Sequence, residues 1–407
     1  MISPNKIDEW IHEVEERPTS AALIIRYIAN RLSELANREE ELSAENIELL
    51  SGRRVEEYEN RIASLEYQLE LLKRQLGGEV AVPIEQPVIP PTPETLRLLV
   101  YSSLGKVLCM EIDPPKLLSQ GAVARIDLGS EQEGINPVVL GTTSREELLF
   151  IFDTGRTVTH PVAKLPISSH ENASWEEAFL EEPRIKEELA AIQPIAKMPL
   201  FEFCVQASRR GYVKKIKIPS FTTHLAEDYI GSGVKLPADK TCGVTFANRE
   251  SLFVLVSQEG FIFSMPVEQL PIGIEEVIRL GITDHIVSMF TVTHQPSVAF
   301  ITQSGKVVHR EASWLEPANS FKSRGQAILS RERREAGTRI IGAAPVMDED
   351  HGAFLFADGT LGIALLKDLL AQGSVPLSNE CGAILSFTGF HAPGNIATAK
   401  TADHARH

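Results

Sequence analysis

The most regular feature of the chain, between residues 96 and 400, is a pair of short apolar runs joined by a tight turn that contains glycine. The copies read LLVYSSLGKVLCM, LLFIFDTGRTVTH, FEFCVQASRRGYVKKI, LFVLVSQEGFIFSM, VAFITQSGKVVHR and AFLFADGTLGIAL. Their turn glycines, 45 to 56 residues apart, are Gly105, Gly155, Gly211, Gly260, Gly305 and Gly359. Two- and three-residue hairpin turns need positive φ, which glycine adopts without strain. The pattern therefore predicts six β-hairpins.

A further apolar run precedes most of these hairpins. The runs are INPVVLGTT, KTCGVTFAN, HIVSMFTVT and RIIGAAPVM. Each unit thus has enough strands for a small antiparallel sheet, and one such sheet cannot bury both of its faces alone. The repeat predicts a mainly β domain over residues 96–400, a six-bladed β-propeller or β-pinwheel in which the sheets stack around an axis.

The first part of the chain has helical rather than strand periodicity. After an N-terminal segment (1–20), apolar residues recur at alternating steps of three and four, from Val55 through Tyr58 and Ile62 to Leu76. This heptad pattern predicts a long α-helical coiled coil over 21–77 that forms a homodimer. The alternative is that the helix docks on its own propeller. Residues 78–95 hold five prolines in quick succession and predict a semi-rigid linker, and 401–407 form a tail.

The uneven distribution of charge along the chain allows the propeller to bind an anionic ligand. The formal net charge is −15, but residues 201–340 carry 17 Lys and Arg against 14 Asp and Glu. A local basic face can bind phosphates on an acidic protein, because salt screens charges beyond about 8 Å. The chain has no apolar signal segment, no membrane-spanning run and four scattered cysteines. These features predict a cytoplasmic protein with reduced thiols, associated with the nucleoid if it binds DNA.

The repeat resembles a known family. A strand, a D/S-x-G-[KRT] turn, a second strand, a proline-containing segment and a later R-x-G are similar to the C-terminal domain of the A subunits of DNA gyrase and topoisomerase IV. The clearest copy is residues 298–330, with Gly305-Lys306 at the turn and Lys322-Ser323-Arg324-Gly325 after it. The resemblance implies a β-pinwheel whose blades exchange a strand and whose basic outer rim bends double-stranded DNA.

Two departures from this family limit the resemblance. The DNA-cleaving half is missing, and Tyr27, Tyr58 and Tyr67 lie in the predicted coiled coil, so we expect no enzymatic activity. The gyrase box, Gln-Arg-Arg-Gly-Gly-Lys-Gly, is absent; the nearest runs are 208–212 and 323–326. A bend in the DNA is then expected rather than chiral wrapping, and a topoisomerase remains a candidate partner in trans.

Basic residues near the third and fifth turns are the candidate DNA contacts. Backbone phosphates need cationic donors along a convex face, without base readout. The candidates are Arg209, Arg210, Lys214, Lys215, Lys217, Lys306, Arg310, Lys322 and Arg324. In a strand, Lys214 points to the face opposite Lys215 and Lys217. The nearby run RERRE (331–335) is expected to be a solvated loop with its own counter-charges.

Other functions have weaker support in the sequence. Eleven histidines are dispersed without a metal-ligand spacing, and no catalytic or phosphate-loop motif is present, so we expect no cofactor, no metal and no catalytic residue. The acidic triplet Asp348-Glu349-Asp350 is expected to be a hairpin loop. The main alternative to DNA binding is a protein-interaction scaffold, since propellers serve as recognition platforms and fold does not dictate function.

Overall fold

The computed structural model describes residues 94–128, 137–236 and 239–392, together with positions 12, 21, 22, 25 and 28. The chain divides into two compact units, Met1–Pro91 and Thr92–His407. The predicted coiled coil and the tail fall outside the described residues, apart from those few positions, and so does nearly all of the linker. The coiled coil and the homodimer therefore stay predictions.

The described part of the second unit contains six antiparallel hairpins, in agreement with the repeat. We number the blades 1 to 6 after these hairpins and the strands in chain order. The hairpins are β1 (Leu96–Tyr101) with β2 (Lys106–Ile112), β5 (Glu147–Phe152) with β6 (Thr157–Pro161), β10 (Phe203–Ser208) with β11 (Tyr212–Lys217), β13 (Leu252–Ser257) with β14 (Phe261–Pro266), β17 (Ser297–Thr302) with β18 (Val307–Glu311), and β21 (Asp350–Phe356) with β22 (Thr360–Leu365).

Each hairpin gains an inner strand, which pairs antiparallel with its first strand. The inner strands are β4 (Val138–Thr143), β9 (Leu189–Pro194), β12 (Thr241–Ala247), β16 (Ile286–Val292), β20 (Ile340–Val346) and β23 (Ile384–His391). Four of the six correspond to the apolar runs seen in the sequence. The pattern did not reveal β9 and β23. Asp348 and Glu349 form a turn and Asp350 begins β21, but this turn joins the sheets of blades 5 and 6 rather than two paired strands, so the expected hairpin loop is wrong.

The outer edge of each blade is supplied by the chain that follows the next hairpin, so the blades exchange strands. Four blades receive a strand, and two receive a single bridge. The outer elements, for blades 1 to 6, are β8 (Phe179–Leu180), the Arg156–Tyr229 bridge, β15 (Glu275–Glu276), β19 (Gln326–Ala327), the Lys306–Ser374 bridge, and β3 (Gly121–Asp127) with β7 (Ala173–Ser174). Because β3 pairs with β22, the first part of the domain closes the ring on its last blade.

The chain between each hairpin and its own inner strand is here called a connection, and connections 1 to 6 take the number of their hairpin. They carry the short helices. These are α1 (Pro114–Ser119), α2 (Ile218–Ala226), α3 (Arg331–Glu335) and α4 (Leu366–Gln372), with 3-10 turns at Val162–Lys164, Val267–Gln269 and Ala312–Trp314, and another at Met198–Leu200 before β10. The run RERRE is thus a helix rather than a loop, because the Ser330 hydroxyl accepts the Arg333 N–H and caps it.

Six separate apolar clusters lie between the six pairs of neighbouring blades. The cluster that joins blade 1 to blade 6, for example, contains Leu98 and Leu108 from one and Leu355 and Leu361 from the other, all fully buried. Burial of such a side chain contributes about 1.5–3 kcal/mol, which no isolated sheet of this size obtains on both faces. The ring is therefore stabilised interface by interface.

The hairpin turns are coupled to the strand exchange. All six turn glycines have positive φ, between 77° and 93°. The carbonyl of each glycine accepts an N–H from the connection that crosses it, for example from Ile126 to Gly359 at 2.8 Å and from Glu181 to Gly105 at 3.0 Å. The same repeat therefore specifies the turn and the site where the next connection docks.

Candidate nucleic-acid interface

Positive charge is concentrated in one sector of the domain. Connection 5 (312–339) contains six Lys and Arg against three Asp and Glu, whereas each of the other five connections has more acidic than basic residues. Hairpin 5 adds Lys306 and Arg310. Connection 5 also forms the outer edge of blade 4 through β19. The resemblance implies a basic outer rim; among the connections only connection 5 is net positive, and hairpin 3 holds a second group of cations, Arg209, Arg210, Lys214, Lys215 and Lys217.

Arg209 lies beside the inner strands. Its N–H donates to the Lys240 carbonyl at 2.8 Å, and its carbonyl accepts from Ile286 at 2.9 Å. Its exposed side chain lines a cavity of about 230 Å³, together with Tyr101, Val138, Leu189 and Thr241. Three of these four are the first residues of inner strands. Arg209 therefore faces the central end of the blades and does not join the cations of the outer edges.

Arg210 bonds to the chain that crosses its turn. Its guanidinium donates to the carbonyls of Gly281 at 2.9 Å, Ile282 at 3.3 Å and Asp284 at 2.5 Å. These bonds satisfy carbonyl groups of connection 4 that the sheet does not use. The side chain of Arg210 fixes this loop, and only its remaining donors are available to a ligand.

Lys214 and Lys215 point to opposite faces of β11, as the alternation predicts. The Lys214 ammonium donates to the Ile230 carbonyl at 3.2 Å, and the Lys215 ammonium donates to the carbonyls of Val267 and Glu268, both at 2.8 Å. Burial lowers the pKa of both lysines. These two cations are bonded between blades, so they hold neighbouring segments together.

The remaining candidates lie on outer segments. Lys217, Lys306, Lys322 and Arg324 are exposed, and no carboxylate of the described residues pairs with them. Lys217 ends β11 and is the N-cap residue of α2, whereas the other three belong to hairpin 5 and connection 5. Arg310 is half-buried and stacks on Trp314, with its guanidinium carbon 5.2 Å from the ring centroid. The nine candidates therefore separate into a central, an interblade and an outer group.

Two further arginines belong with the outer group. Arg279 in connection 4 is exposed, and its N–H donates to the Ser323 carbonyl at 2.8 Å. Arg334 in α3 stacks on Phe261, as does Arg324. Arg279 lies three residues after the acidic pair of β15 and is the single basic residue of its connection, so the sequence gives no signal for it.

The described residues offer little for a metal or redox centre. They contain no group of three or more His, Cys, Asp or Glu side chains placed to hold a metal ion. The four cysteines are free thiols, and burial raises the pKa of the Cys242 thiol to about 11. In the same part of the chain, no helix has both the length and the apolar character needed to cross a membrane.

Comparisons with known proteins agree with the observed architecture. Over 201 residues, 48% of the chain, the sequence is 24% identical to the gyrase A protein of Chlamydia pneumoniae, and the match covers 24% of that protein. The chain thus spans about a quarter of the length of this relative. A comparison with protein-family models gives no match.

Solved structures give the fold. The DNA gyrase A C-terminal domain superposes with a TM-score of 0.56 at 12% identity, over 72% of this chain and 99% of that domain. The C-terminal domain of DNA topoisomerase IV (TM-score 0.47, 18% identity, 78% and 100% covered) and that of E. coli ParC (TM-score 0.34, 15% identity, 58% and 94% covered) are also similar. The chain therefore has the β-pinwheel fold of the gyrase A C-terminal domain, which confirms the resemblance at the level of fold.

Proposed function

We propose that this chain, with the fold of the gyrase A C-terminal domain, is a non-catalytic protein that binds and bends double-stranded DNA through its backbone phosphates. The observation that carries the proposal is the concentration of exposed cations in hairpin 5 and connection 5. There, Lys306, Lys322 and Arg324 have no carboxylate partner among the described residues. Contacts of this kind are independent of sequence and release counterions from the DNA.

The proposed interface is smaller than the full candidate set. Its centre is Lys306, Lys322 and Arg324, and its further contacts are Arg310 in hairpin 5 and Lys217 at the end of β11. Arg210, Lys214 and Lys215 already donate to backbone carbonyls, and Arg209 lies by the inner strands. Because the centre of the proposed interface lies in hairpin 5 and connection 5 alone, we expect a local bend in the DNA rather than a full turn of wrapping.

A salt series tests this proposal. The full chain is titrated against fluorescent duplex DNA between about 50 and 200 mM salt, and four to five phosphate contacts predict a slope of about −4 for log K against log salt. Replacing Lys306 and Lys322 together by alanine should make the slope shallower by about 2. The matched control replaces Arg249 and Lys367, two exposed cations that already pair with Glu202 and Asp348.

Two results would overturn the proposal. One is the absence of binding at micromolar protein and low salt. The other is an equal effect of the control pair on the slope, which would mean that net charge alone attracts the DNA. The full chain is needed, because a dimer through residues 21–77 would present two propellers and raise the local concentration of binding sites.

A protein-interaction scaffold is the second candidate function. Ile185 and Ile282 are 96% and 98% exposed. Each lies two residues before an acidic side chain, Glu187 or Asp284, that accepts hydrogen bonds from the hairpin preceding its connection. The equivalent places of these two exposed side chains on connections 2 and 4 are the observation that favours this second function. This hypothesis replaces the first if the salt series shows no DNA binding, and a topoisomerase is then one partner to test by affinity capture.

A further inference from the structure

Arg279 and Arg324 lie side by side although 45 residues separate them in sequence. Ile278 and Ser323 form a parallel bridge, and the Arg279 N–H donates to the Ser323 carbonyl at 2.8 Å. The residues that follow a parallel pair lie on adjacent chains about 5 Å apart. Ile278 is fully buried, whereas both arginines are exposed. The backbones of Arg279 and Arg324 are therefore adjacent, and both side chains are exposed.

The guanidinium of a third arginine, Arg334, lies near that of Arg324 at one aromatic ring. The guanidinium carbons of Arg324 and Arg334 lie 5.3 Å and 4.7 Å from the centroid of Phe261. The two carbons are therefore at most 10.0 Å apart. Arg334 uses one nitrogen to donate to the Leu329 carbonyl at 2.8 Å, which fixes its position and leaves its other N–H donors available.

The three arginines have no compensating negative charge of their own. No carboxylate within the described ranges forms an ion pair or hydrogen bond with Arg279, Arg324 or Arg334. In contrast, Arg156 pairs with Glu187 and Arg331 pairs with Glu335. Like charges at this spacing repel one another, and a bound anion relieves the repulsion. An arginine cluster of this kind is suited to phosphate, because the planar guanidinium matches phosphate oxygens in a bidentate arrangement.

The backbone that carries Arg324 is held on both sides. The bridge at Ser323 precedes it, and β19 follows, pairing Ala327 with Phe261 and Gln326 with Ile262. Arg324 is thus placed by blade 4, which also supplies the ring on which it stacks. A site on fixed backbone loses less conformational entropy on binding than one on mobile side chains.

We propose that Arg279, Arg324 and Arg334 form one phosphate-binding site, with Phe261 as its positioning residue, and that this site anchors the nucleic-acid backbone at the Arg324 position of the proposed interface. The inference rests on the proposed function for the identity of the ligand, whereas the anion site itself rests on the geometry alone. The site joins connections 4 and 5, so an occupied site links the outer edges of blades 3 and 4.

The first arm of the test uses duplex DNA and the full chain. Single substitutions Arg279→Gln, Arg324→Gln and Arg334→Gln should each weaken binding about threefold to tenfold near 0.1 M salt and reduce the salt slope by about 1. Arg331→Gln is the matched control. Arg331 lies in the same connection, its side chain is 82% exposed, and it already pairs with Glu335 at 2.7 Å. Phe261→Leu should weaken binding with little change in slope, since all charges remain.

The second arm is independent of DNA. Inorganic pyrophosphate, compared with chloride at equal ionic strength, should raise the Tm of the wild-type chain and of Arg331→Gln, but not that of the triple Arg→Gln variant. Far-ultraviolet circular dichroism confirms that each variant is folded.

The two arms separate the possible failures. DNA binding in which the three single variants behave like Arg331→Gln would overturn the site and leave the proposed function standing. A pyrophosphate effect that depends on the arginines, without any DNA binding, would support the anion site and overturn the proposed function. A wild-type chain that responds to neither probe would overturn both.

Discussion

Replacement of Gly359 by alanine should destabilise the propeller by about 3 kcal/mol or more, because the added methyl group strains the backbone of the turn and also clashes with β3, the strand that closes the ring. Gly359 has φ +84°, which costs an L-residue about 1–2 kcal/mol. Its added Cβ would lie 2.0 Å from the Ile126 carbonyl oxygen. Ile126 belongs to β3, and its N–H donates to the Gly359 carbonyl at 2.8 Å. Relief of the clash therefore requires β3 to move away from blade 6.

Gly337→Ala is the control for this experiment. Gly337 has nearly the same φ, +83°, but no atom lies within 4 Å of an added Cβ. Its substitution should cost only the conformational strain, about 1 kcal/mol. Urea unfolding can be followed through Trp175, which is 8% exposed and packs in the cluster between blades 1 and 6. Equal losses at the two glycines would show that the closing contact contributes nothing to stability.

Arg156→Leu should be the second strongly destabilising change, with an expected loss of about 3–5 kcal/mol. The guanidinium of Arg156 bonds to Glu187 at 2.7 and 3.0 Å and stacks on Phe152 at 3.7 Å. The Glu187 side chain is only 1% exposed. Burial opposes its ionisation, but hydrogen bonds from Arg156, Thr154 and the Arg184 N–H outweigh this and hold its pKa at about 2. Without Arg156, the carboxylate is left buried without its cation.

The pH dependence distinguishes this mechanism from lost packing. In the wild type, the pKa of Glu187 is lower in the folded than in the unfolded state, so its contribution is present above about pH 4.5 and is lost as pH falls towards 2. In Arg156→Leu, burial without the arginine raises that pKa. The difference in unfolding free energy between the two proteins should then shrink as pH falls below about 4.5. A constant difference would indicate that only the stacking on Phe152 matters.

An exposed ion pair provides the comparison for Arg156. Arg249 and Glu202 lie 4.0 Å apart, with side chains that are 62% and 49% exposed. Arg249→Leu should cost less than about 1 kcal/mol, because solvent screens such pairs. The same substitution at two arginines thus measures how much of the effect comes from burial of the partner.

The hairpins could be predicted from the sequence because each is local. A turn glycine such as Gly305 and its flanking apolar runs lie within 15 residues, so one short window of the sequence contains both strands and the turn. The inner strand β9, with sequence LAAIQP, was missed because it has few large apolar residues and ends in proline. The outer strands were missed because most are two residues long, which is too short for any periodicity.

The site was predicted less completely than the fold, because side-chain partners come from distant parts of the chain. The sequence predicts Lys215 to be a surface cation, but its ammonium donates to the carbonyls of Val267 and Glu268, which follow the next hairpin. In the sequence Arg279 is an isolated charge, yet the bridge between Ile278 and Ser323 brings the backbone of Arg324 beside it. Such contacts follow from the strand exchange between blades. The resemblance implies this exchange, but the sequence alone does not predict which residues of the exchanged segments lie opposite each other.

Hydrogen–deuterium exchange of the full chain, with and without saturating duplex DNA, tests most directly whether one basic sector is the DNA-binding surface. DNA should slow exchange in peptides from residues 273–282 and 318–340, where the outer arginines lie. Exchange should stay unchanged in 170–188, part of connection 2, where seven of the nine charged residues are acidic. Protection over 170–188 without protection over 318–340, or no protection anywhere, would contradict the account.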